Sequence, residues 1–282
     1  MYIPAHFAAD DAAVRELLAR HGAADLITLT EDGLLATMLP FAYEPAAGEH
    51  GTLLGHVARN NDQWRKPASG ESLAIVRGPD AYVSPSWYAA KAEHGRVVPT
   101  WNYVTAHVYG QLIVHDDPAW VEDVVRRLTA KHEAARLTSP GQPPAWSVDD
   151  APRTFIEGQL RAIVGLELRI TRIEAKAKLS QNRPVTDIPG VVAGLSARGD
   201  DRSAQAVEHA NEAREAQDRP GGRRGRHPAR SANLETGYGG DDVRGDHLKR
   251  GDLPDIGHRA DRDLEAQLGH LAEPVEIGRA HV

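Results

Sequence analysis

Apolar and polar residues alternate at period two through much of the first 180 positions, in short stretches. Residues 25–30 (DLITLT) and 34–39 read as two strands. Glu31-Asp32-Gly33 joins them as a hairpin turn, because an Asp-Gly pair tolerates positive φ. Residues 52–57, 72–76 and 81–84 read as further strands, the last two separated by a Gly78-Pro79 turn. The longest strand is expected over 101–115. In the last strand, Val164, Leu166, Leu168 and Ile170 alternate with Glu167, Arg169 and Thr171. Period 3.6 appears at 10–21, with Asp10 as N-cap, Val14, Leu17 and Leu18 on one face, and Gly22 at the stop. It recurs at 118–136, with Trp120, Val121, Val124, Val125 and Leu128 as apolar positions, and more briefly at 153–160. Residues 60–65 begin a short turn or helix halted by Pro67, and 139–144 form a Pro-rich loop. Modest helices are expected at 187–197 and 201–217. Many short strands with tight turns predict a mainly β fold with flanking helices (α+β), a barrel or sandwich rather than parallel βαβ units.

Composition sets where this fold stops. Aromatic residues are only 5% of 282, and all five Trp lie at or before Trp146. After Phe155 there is no Phe, and after Tyr109 the only Tyr is Tyr238. A core needs bulky apolar side chains, so the folded part should end well before the C-terminus. From Asp218 the chain is rich in Gly, Pro and Arg and loses periodicity, and it is expected to be disordered. Its ending, Glu276-Ile277-Gly278-Arg279-Ala280-His281-Val282, is what a sequencing-adapter stretch encodes when read through. Part of the tail, 218–282, is therefore expected to be a contig-end or frame artefact.

Charge and cysteine narrow the chemistry. The chain has no Cys, which excludes disulfides, thiol nucleophiles and Cys-based metal sites. The formal net charge is −7, without the basic excess of a self-sufficient DNA binder. No apolar run approaches a membrane span, so no membrane contact and a cytoplasmic location are expected. Dinucleotide, NTPase, zincin and nucleophile-elbow motifs are all missing. The 14 His show no ligand-like spacing, so no metal is expected.

Four segments are loaded with polar and aromatic groups. Residues 55–65 leave a strand for a turn, where Arg59, Asn60, Gln63 and Arg65 suit a phosphate. The competing reading is a charged surface turn with His56 satisfied in the core. Residues 78–88 form a stiff loop in which Trp87 and Tyr88 stack on a ring or pack over a barrel mouth. Residues 98–110 offer Thr100, Trp101 and Asn102 at a loop-to-strand junction, suited to a heteroaromatic edge or to a core plug. Residues 178–183 carry Lys178, Ser180, Gln181, Asn182 and Arg183, a dense donor set or a solvated terminal face. Together they are expected to enclose one planar, phosphorylated ligand.

These blocks occur in a recognisable order. Met1-Tyr2-Ile3-Pro4 is followed by Gly55-His56 with Asn60 and Gln63-Trp64-Arg65. Next come Gly78-Pro79, Tyr82-Val83-Ser84-Pro85-Ser86-Trp87-Tyr88 and Val98-Pro99-Thr100-Trp101-Asn102-Tyr103 with His107-Val108-Tyr109-Gly110. Glu157-Gly158-Gln159-Leu160, Ile163-Val164-Gly165 and Lys178-Leu179-Ser180-Gln181-Asn182-Arg183 complete the set. The pattern resembles the FMN-binding negative transcriptional regulators of the PaiB type, over residues 1–210. The resemblance implies a split β-barrel domain at 1–183, with helices at 184–217 packing on or extending from it. It implies a homodimer, with FMN in a groove between subunits, and repression of transcription through direct or indirect DNA contact. By position, Arg59, Asn60, Gln63 and Arg65 would contact phosphate and ribityl. Ser84, Trp87, Tyr88, Thr100, Trp101 and Asn102 would line the ring, and Lys178, Ser180, Gln181, Asn182 and Arg183 would add contacts from the last strand. A longer spacer, 89–96, precedes Val98. Arg126, Arg127, Lys131 and Arg136 are the local basic patch for DNA, or else a solvated helix face. Two alternatives stand beside the regulator: an FMN-dependent oxidoreductase of the flavin-reductase kind, and a haem-binding split barrel with His56 or His107 as axial ligand.

Overall fold

The computed structural model describes residues 1–136, 141 and 143–218, without the side chains of 215–218. The chain divides into two units, Met1–Arg224 and Gly225–Val282. The expectations for a disordered or artefactual tail fall outside the described residues, as does most of the Pro-rich loop.

Seven strands form one antiparallel sheet: β1 (Ala24–Thr30), β2 (Gly33–Leu39), β3 (Ala42–Glu44), β4 (Thr52–Ala58), β5 (Ser72–Val83), β6 (Thr100–His115) and β7 (Ile163–Lys178). Their order is β2-β1-β5-β6-β7-β4-β3. The helices are α1 (Asp11–Arg20), α2 (Ala89–His94), α3 (Pro118–Arg136), α4 (Arg153–Leu160), α5 (Ile188–Ser196) and α6 (Asp201–Asp218). Asp10 caps α1, its carboxylate accepting from Ala13 N at 2.8 Å.

The sheet curls on itself. One buried cluster draws Leu39 of β2, Leu26 of β1, Val76 of β5, Val108 of β6, Leu168 of β7 and Leu53 of β4, so strands from both ends of the order share one interior. Asn61, just past β4, donates to Thr37 of β2 at 3.0 Å, while β2 and β4 have no ladder between them. The result is a split barrel: closed by packing and open in hydrogen bonding.

Four elements differ from the sequence reading. The proposed turn at Gly78-Pro79 does not end a strand. β5 runs through it, with a register shift between Arg77 and Asp80 that leaves the proline outside the ladder. A Cβ at Gly78 would lie 2.8 Å from Val104 Cβ, so only glycine fits there. β7 extends seven residues beyond Thr171, with Ala175 and Ala177 packed against the two inner cores and Lys176 buried against the rings of Tyr2, Phe7 and Tyr103. Small and basic residues in alternation looked like a polar run. The short β3 and α2 carry too little periodicity to read.

The outer face of the sheet has two halves. α3 lies across β3, β4 and the first part of β7. Its Trp120 sits on Gly165, where a Cβ would come within 2.2 Å of the indole. His115 stacks on the same indole at 3.9 Å and 11°, and its Nε2 lies 2.6 Å from Glu167 Oε2. The other half, from β2 through the first part of β6, has no helix over it among the described residues. There Leu34 and Met38 are 72% exposed, Leu29 50%, Tyr82 40% and Trp101 52%. At the tip of β5, β6 and β7, helices α5 and α6 build a second small core around Val83, Tyr88, Leu179, Val191, Leu195 and Val207.

Candidate functional site

The sequence-selected residues fall into two groups. The first lies where β4 ends. Arg59 donates to Asp116 Oδ1 and Oδ2 at 2.5 and 3.0 Å and to the carbonyls of Arg161 and Ile163. This pairing holds the Asp116 carboxyl below its usual range. Asn60 is exposed, and Arg65 lies over the Trp64 ring at 5.3 Å while donating to Arg59 O at 2.7 Å. Gln63 is 2% exposed, and its amide nitrogen is spent on Leu26 O (3.0 Å) and Thr28 Oγ1 (3.3 Å). Its Oε1 is buried with no partner among the described residues.

The second group gathers at the barrel tip. Asn102 donates to Ser180 Oγ at 2.9 Å, both buried, and Ser180 holds a left-handed backbone with φ 67°. Lys178 donates to Trp101 O at 2.6 Å and to Thr100 Oγ1, with no carboxylate partner among the described residues. Burial and neighbouring Lys176 push its pKa down. Trp101 donates from Nε1 to Asp80 at 2.9 Å and meets Tyr82 edge-on. Gln181 closes its own turn through Ala177 O and Leu179 N, and Asn182 is exposed. Ser84 caps the turn at Ser86. Tyr88 is buried under the Arg183 guanidinium at 4.0 Å, and Arg183 pairs with Asp187 at 2.8 Å. Trp87 is seated on α5, where a Cβ at Gly194 would lie 2.3 Å from its ring.

Within one chain these groups do not meet. Lys178 reaches the start of β6 and Arg59 reaches Asp116, just past its end. Fifteen strand steps separate the two, about 50 Å of chain. The expectation of one pocket enclosed by all four segments is therefore not met inside a single copy.

A cleft of about 700 Å³ does open beside the first group, bounded by Gln63, Arg65, Lys66, Gln111, Ile113 and Val114. It exists because β5 begins opposite Gly110, so residues 111–115 of β6 pair only with β7 and leave their other edge free. Its size lies in the usual range for small-molecule sites. Lys66, Gln111, Ile113 and Val114 were missed by sequence reasoning, since a free strand edge leaves no mark in the residues themselves. Asp187, the ion-pair partner of Arg183, was missed as well.

Residues 1–172 match the family described as "Putative FMN-binding domain". The chain belongs to this PaiB-type family. Its relatives include the "Protease synthase and sporulation protein PAI 2" of Bacillus subtilis, 32% identical over 210 residues, covering 74% of this chain and 95% of that protein. An uncharacterised Aspergillus fumigatus protein is 32% identical over 176 residues, covering 53% and 67%. Among solved structures, the conserved hypothetical protein Rv2991 of Mycobacterium tuberculosis aligns with a TM-score of 0.44 at 10% identity, over 65% of this chain and 94% of that one.

The cofactor of this family is a flavin, and the residues fit it. The unpartnered Gln63 Oε1 lacks a donor of the kind an isoalloxazine N–H provides. Arg65 and Lys66 line the cleft as phosphate donors, paired at its surface with Asp62 at 3.3 Å and Asp32 at 2.9 Å, and the cleft has the necessary volume. A bound flavin brings the electron chemistry; the chain holds and orients it. The haem candidates are far apart in character: His56 is half-buried under the α3 side of the sheet, and His107 is half-buried beside Glu174, which accepts from the N-terminal ammonium.

Proposed function

We propose that this flavin-binding chain works as a homodimeric, cytoplasmic regulator of transcription, with FMN held between two copies. The observation that carries the reading is the separation of the two residue groups by the length of β6, combined with a bare apolar face between them. A second copy laid on that face would cover Leu29, Leu34, Met38, Tyr82 and Trp101, which are exposed in one copy. It would also bring the tip residues of one subunit toward the cleft of the other. Thr100, Trp101, Asn102 and Lys178 would then face the flavin held by Asn60, Gln63 and Arg65.

The regulatory part rests on family membership and on the name of the Bacillus relative. DNA contact through α3 is disfavoured by its own ion pairs. Arg126 is held by Glu122 and Asp149, Arg127 by Asp123 and Glu44, and Arg136 by Glu133. Lys131 donates to Phe41 O instead. Charges already neutralised release few counterions from a phosphate backbone, so we favour indirect control. No described helix is long and apolar enough to cross a membrane.

The test is light scattering with simultaneous absorption on the purified full chain, followed by mobility shift on its own promoter over a salt series. A dimer carrying one flavin per subunit is expected. A monomer that still retains flavin would refute the shared site. A salt-dependent shift by the purified protein alone would refute indirect control.

A further inference from the structure

A second cleft, of about 420 Å³, lies on the opposite side of the bulged strand from Tyr82 and Trp101. It is enclosed by the last turns of α1, the β5 bulge and the first turn of α6. Its floor is apolar: Leu17, Pro79, Val104 and Ala206. Its rim carries three guanidiniums, Arg20, Arg77 and Arg202, against the single carboxylate Glu16.

The pairing at this rim is uneven. Arg20 pairs with Glu16 at 3.2 Å, but both are more than half exposed, and such helix-surface pairs are weak. Arg77 reaches Asp25 outside the cleft at 2.6 Å. Arg202 is exposed and has no ion pair among the described residues. His21, at the α1 end, adds no charge near neutral pH: burial, with Lys131 and His132 of α3 nearby, lowers its pKa to about 4. The rim is therefore cationic over a greasy floor.

We propose that this cleft binds an organic carboxylate with an apolar body, its carboxylate on Arg202 and Arg20 and its hydrocarbon on Leu17, Val104 and Ala206. Inorganic phosphate would satisfy the rim but waste the floor, and a neutral hydrocarbon would do the reverse. The site is separate from the flavin cleft and does not depend on it. It is mechanically close to the barrel tip, however. Gly78 presses directly on Val104, and Val104 pairs with Ala177, one residue before Lys178. An occupant of the cleft bears on the inner side of the strand that carries Thr100 to Asn102.

Isothermal calorimetry on the full chain with octanoate, 1-octanol and inorganic phosphate tests this. Saturable 1:1 binding of octanoate is expected, at least tenfold tighter than either comparator. Arg202→Glu, at an exposed unpaired position, should weaken octanoate at least tenfold while leaving the melting temperature and the flavin spectrum unchanged. Ala206→Trp, which fills the cleft, should abolish binding. Equal affinity for octanol or phosphate, or full octanoate affinity in a folded Arg202→Glu protein, overturns the proposal.

Discussion

Under α3 the outer face of the sheet is closed by its own chain; from β2 to the first part of β6 the same alternation is left open. The contrast separates two uses of one pattern. In the covered half, Gly165 makes room for Trp120, and the indole in turn stacks on His115 beside Glu167. In the bare half, Met38, Tyr82 and Trp101 stand outward and exposed among the described residues. The first half therefore contributes to the stability of one copy. The outer side of the second leaves its apolar area exposed in one copy.

That difference can be broken at graded cost. Gly165→Val should be the most damaging, because the new side chain meets Trp120 and His115 O. A loss of about 3 kcal/mol and a melting temperature lower by roughly 10 °C are expected in thermal unfolding. If the melting temperature held, α3 would not be docked through Trp120.

Acid should weaken the covered side next. His21 is 4% exposed and its folded pKa is near 4, against 6.5 unfolded. The unfolded chain binds the proton more tightly, so stability falls as pH drops from about 6.5 to about 4, by about 3 kcal/mol. His56 is shifted down by burial as well and adds in the same direction. Urea unfolding across this range should show the slope, and His21→Gln should flatten it.

At the barrel tip, Asn102→Ala leaves the buried Ser180 hydroxyl without its partner. It should cost about 2 kcal/mol in urea unfolding. The bare half should respond least. Met38→Glu places a charge on an already exposed position, so monomer stability should stay within about 0.5 kcal/mol. Self-association measured by analytical ultracentrifugation should nevertheless weaken about tenfold, or about 1.4 kcal/mol. A stability loss without an association loss would reverse the roles of the two halves.

Much of the barrel was legible because half-buried strands advertise themselves by period two. DLITLT at 25–30 and the run from Trp101 to His115 are such cases. Gly78-Pro79 misled because local turn chemistry is the same in a turn and in a bulge; only the tertiary contact with Val104 decides. Lys176 and Lys178 misled because their apolar partners in the alternation are alanines. The candidate site was harder. Residue type picked out Arg59, Gln63, Asn102 and Lys178 as unusual. It could not show that Arg59 would be spent on Asp116, nor that the two groups lie at opposite ends of one strand. Those facts are set by register, which depends on pairing between residues more than a hundred positions apart, such as Arg59 with Ala162.

The position of β7 has a consequence for how the protein is made. It is the last of the described strands to leave the ribosome, yet it sits between β6 and β4 in the finished sheet. At roughly 5–20 residues per second, the 63 residues from His115 to Lys178 take on the order of 3–13 s to synthesise. Throughout that interval β4 has only the three-residue β3 to pair with, and one whole edge of β6 waits unfilled. The nascent chain spends those seconds with Leu53, Val57 and Val108 without their final neighbours.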